Sequence, residues 1–167
     1  YAISTELNGV DVYHTDSDLS FSNARGVLEV SSEKGVFAKS LTASVFGNDS
    51  RISIASIYNE DDASQDLLHT ELGLQSSAGI EQVFNHFGYE VLDNLSGKFA
   101  YQAELVLPAD EKVYPSVAIS SDLKGLKRGW PAPLDKRQED IERLDLNILL
   151  KPSQTYLDAS LDTVSQS

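Results

Sequence analysis

Alternation of apolar and polar side chains is the feature that most limits how this chain folds. The pattern is clearest in the stretches 98–107 and 143–150. Successive side chains of a strand point to opposite faces, so each stretch predicts a half-buried strand. The apolar positions are Phe99, Tyr101, Ala103, Leu105 and Leu107 in the first stretch and Leu144, Leu146, Ile148 and Leu150 in the second.

Turn residues separate these and similar stretches. We expect turns at 23–26, 33–35, 47–49 and 108–111, a spacing of about 8–12 residues that is typical of antiparallel meanders. The alternation that begins at Arg51 slips by one residue at 55–56, which predicts a bulge there. The sequence therefore predicts roughly nine to eleven strands. The expected fold is mostly β with one short helix: an antiparallel meander that forms a curved sheet or a β-sandwich-like module.

The one predicted helix lies in segment 80–87, where apolar residues recur with helical spacing. Ser76 or Ser77 is expected to cap its start and Gly88 to end it. The apolar stripe is expected to pack on the sheet and consists of Ile80, Val83, Phe84 and Phe87.

Composition limits the classes of partner. The 167 residues carry a net charge of −13, which repels phosphate backbones and argues against nucleic acid as a partner. No cysteine is present, which excludes disulfides, thiolate metal sites and cysteine nucleophiles. The chain begins at Tyr1 and contains no methionine. We therefore expect residues 1–167 to be a single β-rich module, a fragment of a larger chain.

The most distinctive stretch is 120–136, which reads SSDLKGLKRGWPAPLDK. It resembles a signature of YhdP-like proteins, a branch of the bacterial AsmA-like superfamily. In that signature a strand ends in Ser-Asp-Leu-x-Gly-Leu, and Leu-Pro-x-Pro-Leu-x-Lys follows shortly. This chain departs from the pattern at Trp130, where an aliphatic residue is usual, and at Asp135, where Gly is common. Its segment 127–129 is also more basic than the family pattern.

Two further stretches extend the resemblance to about residues 7–150. Residues 97–108 are similar to the family's Gly-x-x-x-Tyr-x-x-x-Leu-x-Leu-Pro strand, and residues 26–47 are similar to a family hairpin. The resemblance implies a β-rich periplasmic region of a protein anchored in the inner membrane. It also implies a groove with an apolar interior that carries phospholipids between the inner and outer membranes. The family has no known catalytic residues, so none carry over.

Alternation and resemblance together predict an oily sheet face that acts by shape and hydrophobicity. The expected partners are phospholipid acyl chains and neighbouring modules of the same chain. Lys127, Arg128 and Trp130 are candidates for contact with headgroups or the membrane interface. The alternative for that segment is a hairpin loop that two prolines make rigid. The residues expected to face lipid are Phe99, Tyr101, Ala103, Leu105, Leu144, Leu146 and Ile148.

The same alternation also builds the core of a β-sandwich. An unrelated extracytoplasmic β-sandwich that binds carbohydrate or protein through its loops is therefore the alternative interpretation. Catalytic and metal-binding patterns are weak in this sequence. His14, Asp16 and Asp18 are loosely spaced for zinc, and the acidic segment 60–66 lacks the glycine of an EF-hand loop. We expect neither enzymatic activity nor a cofactor.

Overall fold

The computed structural model describes residues 1–14, 19–58, 67–86, 88–151 and 154–163. These residues form ten strands and one short helix. The strands are β1 (Ala2–His14), β2 (Leu19–Ser31), β3 (Gly35–Val45), β4 (Asn48–Tyr58), β5 (Leu67–Gly79), β6 (Leu95–Pro108), β7 (Ser116–Ser121), β8 (Leu126–Arg128), β9 (Glu142–Lys151) and β10 (Gln154–Thr163). The helix is α1 (Ile80–His86), which connects β5 to β6.

The strands pair antiparallel in one open curved sheet. Their order is β1-β2-β3-β4-β5-β6-β7-β9-β10, and the short β8 pairs with the start of β6 outside this path. Nearly every strand therefore pairs with its neighbours in sequence, as a meander requires. The predicted mostly β fold with one helix is confirmed, and of the two predicted arrangements the described residues form the curved sheet.

The sheet curls about its apolar face. The non-adjacent strands β3 and β5 approach to within 8 Å between Cα atoms, which is closer than two strand spacings of about 4.8 Å in a flat sheet. On the apolar face of β3, Ala38 is only 1% exposed and Leu41 only 5% exposed. Together with Ile52 of β4 and Leu7 of β1, they belong to one hydrophobic cluster. Curvature thus buries side chains that a flat single layer would leave in water.

The predicted turn at 23–26 is wrong, because these residues lie within β2. Asn23 has a φ of 56° and Gly26 a φ of 128°, and the pairing register with β3 shifts around them. A β-carbon on Gly26 would also lie only 2.9 Å from a methyl carbon of Leu41. Residues that favour turns here produce an irregularity inside a strand.

The start of α1 differs from the prediction, and its end agrees with it. Ser76 and Ser77 belong to β5, so the predicted cap is wrong. Gln82 reaches back instead, and its side-chain oxygen accepts a hydrogen bond from the backbone N–H of Gly79 at 3.1 Å. Gly88 ends the helix as predicted, with a φ of 72°. Phe87 lies outside the described residues.

The bulge predicted at 55–56 is also wrong. Pairing between β4 and β5 is continuous from Arg51 to Ile57 and shifts only between Ile57 and Tyr58. The apparent slip in the sequence arises because Ile57 is an apolar residue on the otherwise polar face. In the described part of the chain, no helix is both long enough and apolar enough to cross a bilayer.

Candidate functional site: the apolar face of the sheet

Directly paired residues place apolar side chains in continuous rows across the sheet. Two rows carry the pattern from the centre of the sheet to the β10 edge. The first row is Ile54, Leu72, Leu105, Val117, Ile148 and Leu157, and the second is Leu41, Ile52, Leu74, Ala103, Ile119, Leu146 and Ala159. Paired residues of an antiparallel ladder share a face, so these rows form one unbroken apolar surface.

All seven residues predicted to face lipid lie on the same face of the sheet as these rows. Each of them is half-buried: none is shielded like the core of β3, and none is fully exposed. Four belong to β6, namely Phe99, Tyr101, Ala103 and Leu105, and three belong to β9, namely Leu144, Leu146 and Ile148. Strand β7 lies between β6 and β9 and pairs with both, so the two predicted groups lie on one continuous face. Contact with lipid itself stays a prediction.

The apolar face is closed at one end. Ile80 of α1 packs there with Leu123 and Leu126, and this cluster rests on Phe99 and Leu144 of the sheet. At the opposite end the apolar side chains reach the surface, since Leu107 is 39% exposed and Leu150 is 40% exposed. The face is likewise open along β10, where Leu157 is 63% exposed. A long apolar molecule would therefore find access from the open end and from the β10 edge.

A polar stripe crosses the apolar face near its closed end. The hydroxyls of Ser50 and Ser76 are 2.7 Å apart, and Ser121 donates a hydrogen bond to the carbonyl oxygen of Ala100 at 2.6 Å. Between them lies Tyr101, whose buried hydroxyl has no partner of hydrogen-bonding geometry among the described residues. Burial raises the pKa of Tyr101, and the nearby Ser76 hydroxyl opposes that shift. The sequence does not predict this stripe, because a serine in a strand can lie on either face of a sheet.

The opposite face of the sheet is polar. One of its rows runs through Arg51, Gln75, Gln102, Ser120 and Asp145. Three open surface depressions lie over this face and share several of these side chains. No group of three His, Asp or Glu residues within the described ranges is placed to hold a metal ion.

The basic segment predicted to contact headgroups is largely engaged in internal contacts. Arg128 forms a two-pronged ion pair with Glu142, at 2.8 and 3.2 Å, and both side chains are mostly buried. The guanidinium also lies 5.6 Å from the ring centroid of Trp130, whose indole N–H donates to the backbone oxygen of Asp93 at 3.1 Å. Lys127 is exposed. Of the two basic residues, Arg128 is paired with Glu142, and Lys127 presents its charge to solvent.

Lys136 anchors the same segment from within. It is only 2% exposed, and its ammonium donates hydrogen bonds to the backbone oxygens of Leu126, Arg137 and Asp140 at 3.0, 3.2 and 2.7 Å. Burial lowers the pKa of Lys136, and the nearby Glu142 carboxylate opposes that shift. We call residues 122–142 the latch, because they fold back on themselves and cover the closed end of the apolar face. The sequence does not indicate that Lys136 is buried, because a lysine at the end of a loop motif is usually solvated.

Of the three histidines, the structure describes the side chains of His69 and His86 only. His69 Nε2 lies 2.9 Å from Glu71 Oε1 on the same strand, and the His86 ring contacts the edge of Phe46 with centroids 4.9 Å apart. Asp16, Asp18 and the acidic segment 60–66 lie outside the described residues.

Comparisons with protein-family models, with curated proteins and with solved structures gave no match.

Proposed function

We propose that this chain is a non-enzymatic β-module of the bacterial envelope, in the periplasm, whose apolar face holds phospholipid acyl chains. The observation that carries the proposal is the two rows of directly paired apolar residues. Their side chains at Ala103, Leu105 and Ile148 are still partly exposed to solvent. A module whose only task was to fold would gain stability by covering such a surface with a second layer.

The energetics require no reactive group. Moving a hydrocarbon chain from water onto an apolar surface is favourable by roughly 0.8 kcal/mol for each fully buried CH₂ group. Binding then depends on the area of contact, and an acyl chain can slide because neighbouring rows offer nearly the same surface. The resemblance of segment 97–136 to YhdP-like proteins supports this use of the face. The opposite face also supports it, because its polar side chains can remain hydrated while the apolar face holds lipid.

Because the apolar face is closed at one end and open at the other, a bound lipid has one expected orientation. The closed end is filled by α1 and the latch, so acyl chains enter from the end marked by Leu107 and Leu150. A headgroup then remains outside in water. Lys127 lies on the latch at the closed end. Under the proposal it can contact only the headgroup of a lipid that approaches this end from outside the apolar face.

Lipid retention by the purified chain tests the proposal. We expect native mass spectrometry to find diacyl phospholipid bound after extraction from membranes. The double variant Leu107→Asn and Leu150→Asn should reduce retention of a fluorescent phosphatidylethanolamine by about tenfold, because it removes two large apolar contacts at the open end. The matched control alters the polar face of the same two strands, with Gln102→Asn and Asn147→Gln, and should retain lipid like the parent chain.

Absence of bound lipid from the folded parent chain would overturn the proposal. Equal loss in both double variants would show that the apolar face is not the site. Binding of glycans through the loops, with no lipid retained, would instead support the carbohydrate-binding alternative.

A further inference from the structure

We propose that β10 is a docking edge for a second copy of this chain, and that the β10 strands of two copies pair antiparallel about Ala159. The sheet would then continue from one copy into the other. This proposal rests on the edge geometry of β10 and is independent of lipid binding.

The backbone hydrogen bonds show which groups of β10 point away from the sheet. Leu150 and Glu142 of β9 donate their N–H groups away from β10, to Pro115 and Asp122. Even-numbered residues of β9 therefore bond toward β7, and odd-numbered ones bond toward β10. The odd-numbered β9 residues pair with even-numbered residues of β10. It follows that Leu157, Ala159 and Leu161 direct their backbone N–H and C=O groups outward.

This edge lacks the prolines, lysines and bulges that commonly prevent strand addition. Residues 154–163 contain no Pro, Lys or Arg, their only charged side chains are Asp158 and Asp162, and they pair with β9 without any shift of register. The other edge of the sheet differs. Strand β1 has register shifts between Asn8 and Val10 and between Val10 and Val12, and Gly9 between them has a φ of 75°. Such bulges twist an edge away from a partner strand. Of the two edges, β10 is the one built to accept a strand.

Pairing two β10 strands about Ala159 engages residues 155–163 of each copy and makes their side chains complementary. When two copies pair antiparallel with Ala159 opposite Ala159, Leu157 of each copy lies opposite Leu161 of the other. Both leucines lie on the apolar face, where they are 63% and 51% exposed, so the pairing continues the apolar rows across the junction. On the polar face, Asp158 of each copy then lies opposite Ser160 of the other.

Charge disfavours the neighbouring registers. Centring the pair on Asp158 places the two Asp158 carboxylates directly opposite each other. Centring it on Ser160 places Asp158 of each copy opposite Asp162 of the other. Like charges directly opposite one another in a ladder are destabilising. Registers displaced by an odd number of residues would turn the apolar side chains of one copy to the polar face of the other. The Ala159-centred register avoids both costs.

The net charge of the chain makes a distinctive prediction about salt. Each copy carries a charge of −13, so the two repel at long range. Raising the ionic strength from about 50 mM to about 500 mM shortens the screening length severalfold and should tighten the dimer. An interface held by ion pairs would weaken under the same change.

Sedimentation velocity of the purified chain over a range of concentrations tests the proposal. We expect a reversible monomer–dimer equilibrium. Ala159→Pro removes an outward N–H and should weaken dimerisation at least about tenfold, while leaving bonds to β9 in place. The control is Ser4→Pro on β1. The bond from Ser32 N–H to the Tyr1 carbonyl places odd-numbered β1 residues toward β2, so the Ser4 N–H also points outward. This control should dimerise like the parent.

Ser160→Lys adds a test that no loss of folding can imitate. In the Ala159-centred register each new lysine lies opposite Asp158 of the other copy, so the dimer should tighten several-fold. Circular dichroism confirms that all three variants are folded. A chain that stays monomeric at every concentration and salt, or a Ser160→Lys variant that dimerises more weakly, would overturn the proposal. Open-ended polymers would also overturn it, because they require a β1–β10 contact.

Discussion

Tyr101 shows how a single residue on the apolar face works against the stability of the fold. Its aromatic ring suits the face, but among the described residues its hydroxyl is the one buried side-chain polar atom without a hydrogen-bond partner. A buried, unsatisfied hydroxyl costs about 1–3 kcal/mol relative to its hydrated state. The nearby hydroxyls of Ser50 and Ser76 lie 2.7 Å apart, and Ser50 also donates to the backbone oxygen of Asn48 at 3.0 Å.

Tyr101→Phe should therefore raise the free energy of unfolding, by about 1 kcal/mol at neutral pH, as measured by urea denaturation. The pKa of Tyr101 is raised in the folded chain above its ordinary value of 10.0. Above that pH the unfolded chain loses the tyrosine proton more readily than the folded chain. Parent stability should thus fall as the pH rises through the folded pKa, and the variant should lack this component. Tyr89→Phe, at a 69% exposed position, is the control. Equal responses of both variants would contradict the explanation.

At the scale of elements, the latch is held by polar pairing within it as well as by the apolar packing of Leu123 and Leu126. Arg128 and Lys136 exchange backbone hydrogen bonds at 2.9 Å in both directions, and the Arg128–Glu142 ion pair joins the latch to the start of β9. The glycines are needed for the backbones to meet, since a β-carbon on Gly97 would overlap the carbonyl oxygen of Gly125. The closed end of the apolar face therefore depends on polar contacts.

Glu142→Gln should lower the free energy of unfolding by about 3 kcal/mol, because it leaves the mostly buried Arg128 charge uncompensated. The loss should appear in urea denaturation. Lys127→Gln alters the adjacent exposed cation and should change stability by less than about 0.5 kcal/mol. If Glu142→Gln were as mild as its control, the ion pair would not be what holds the latch.

Elements that depend on local pattern could be predicted from the sequence, and elements that depend on distant partners could not. The strands around 98–107 and 143–150 were found because alternation is a property of each strand alone. Residues 23–26 were misassigned because Asn and Gly favour a turn and a strand irregularity equally, and only pairing with β3 decides between them. The apolar surface was predictable strand by strand. The polar stripe, the buried Lys136 and the closure of one end arise from residues far apart in sequence.

For the whole molecule, stability should be distributed unevenly along the curved sheet. The buried residues of its main core lie on β2, β3 and β4, whereas every β10 residue from 155 to 162 is exposed. A single sheet has no second layer to equalise this difference, so the core on β2, β3 and β4 should open only when the entire chain unfolds and the β10 edge should open locally.

Hydrogen exchange followed by mass spectrometry should therefore show the slowest exchange in peptides from β3 and β4 and the fastest in β10. None of the described strands pairs with the outward N–H groups of Leu157, Ala159 and Leu161, so their exchange should slow as the concentration rises from about 1 to about 100 μM and dimers form. Exchange in β3 should not depend on concentration, and Ala159→Pro should remove the dependence in β10. Strong protection of β10 at the lowest concentration would mean that its edge is already covered within a single chain, and the pairing of copies would then have no free strand to use.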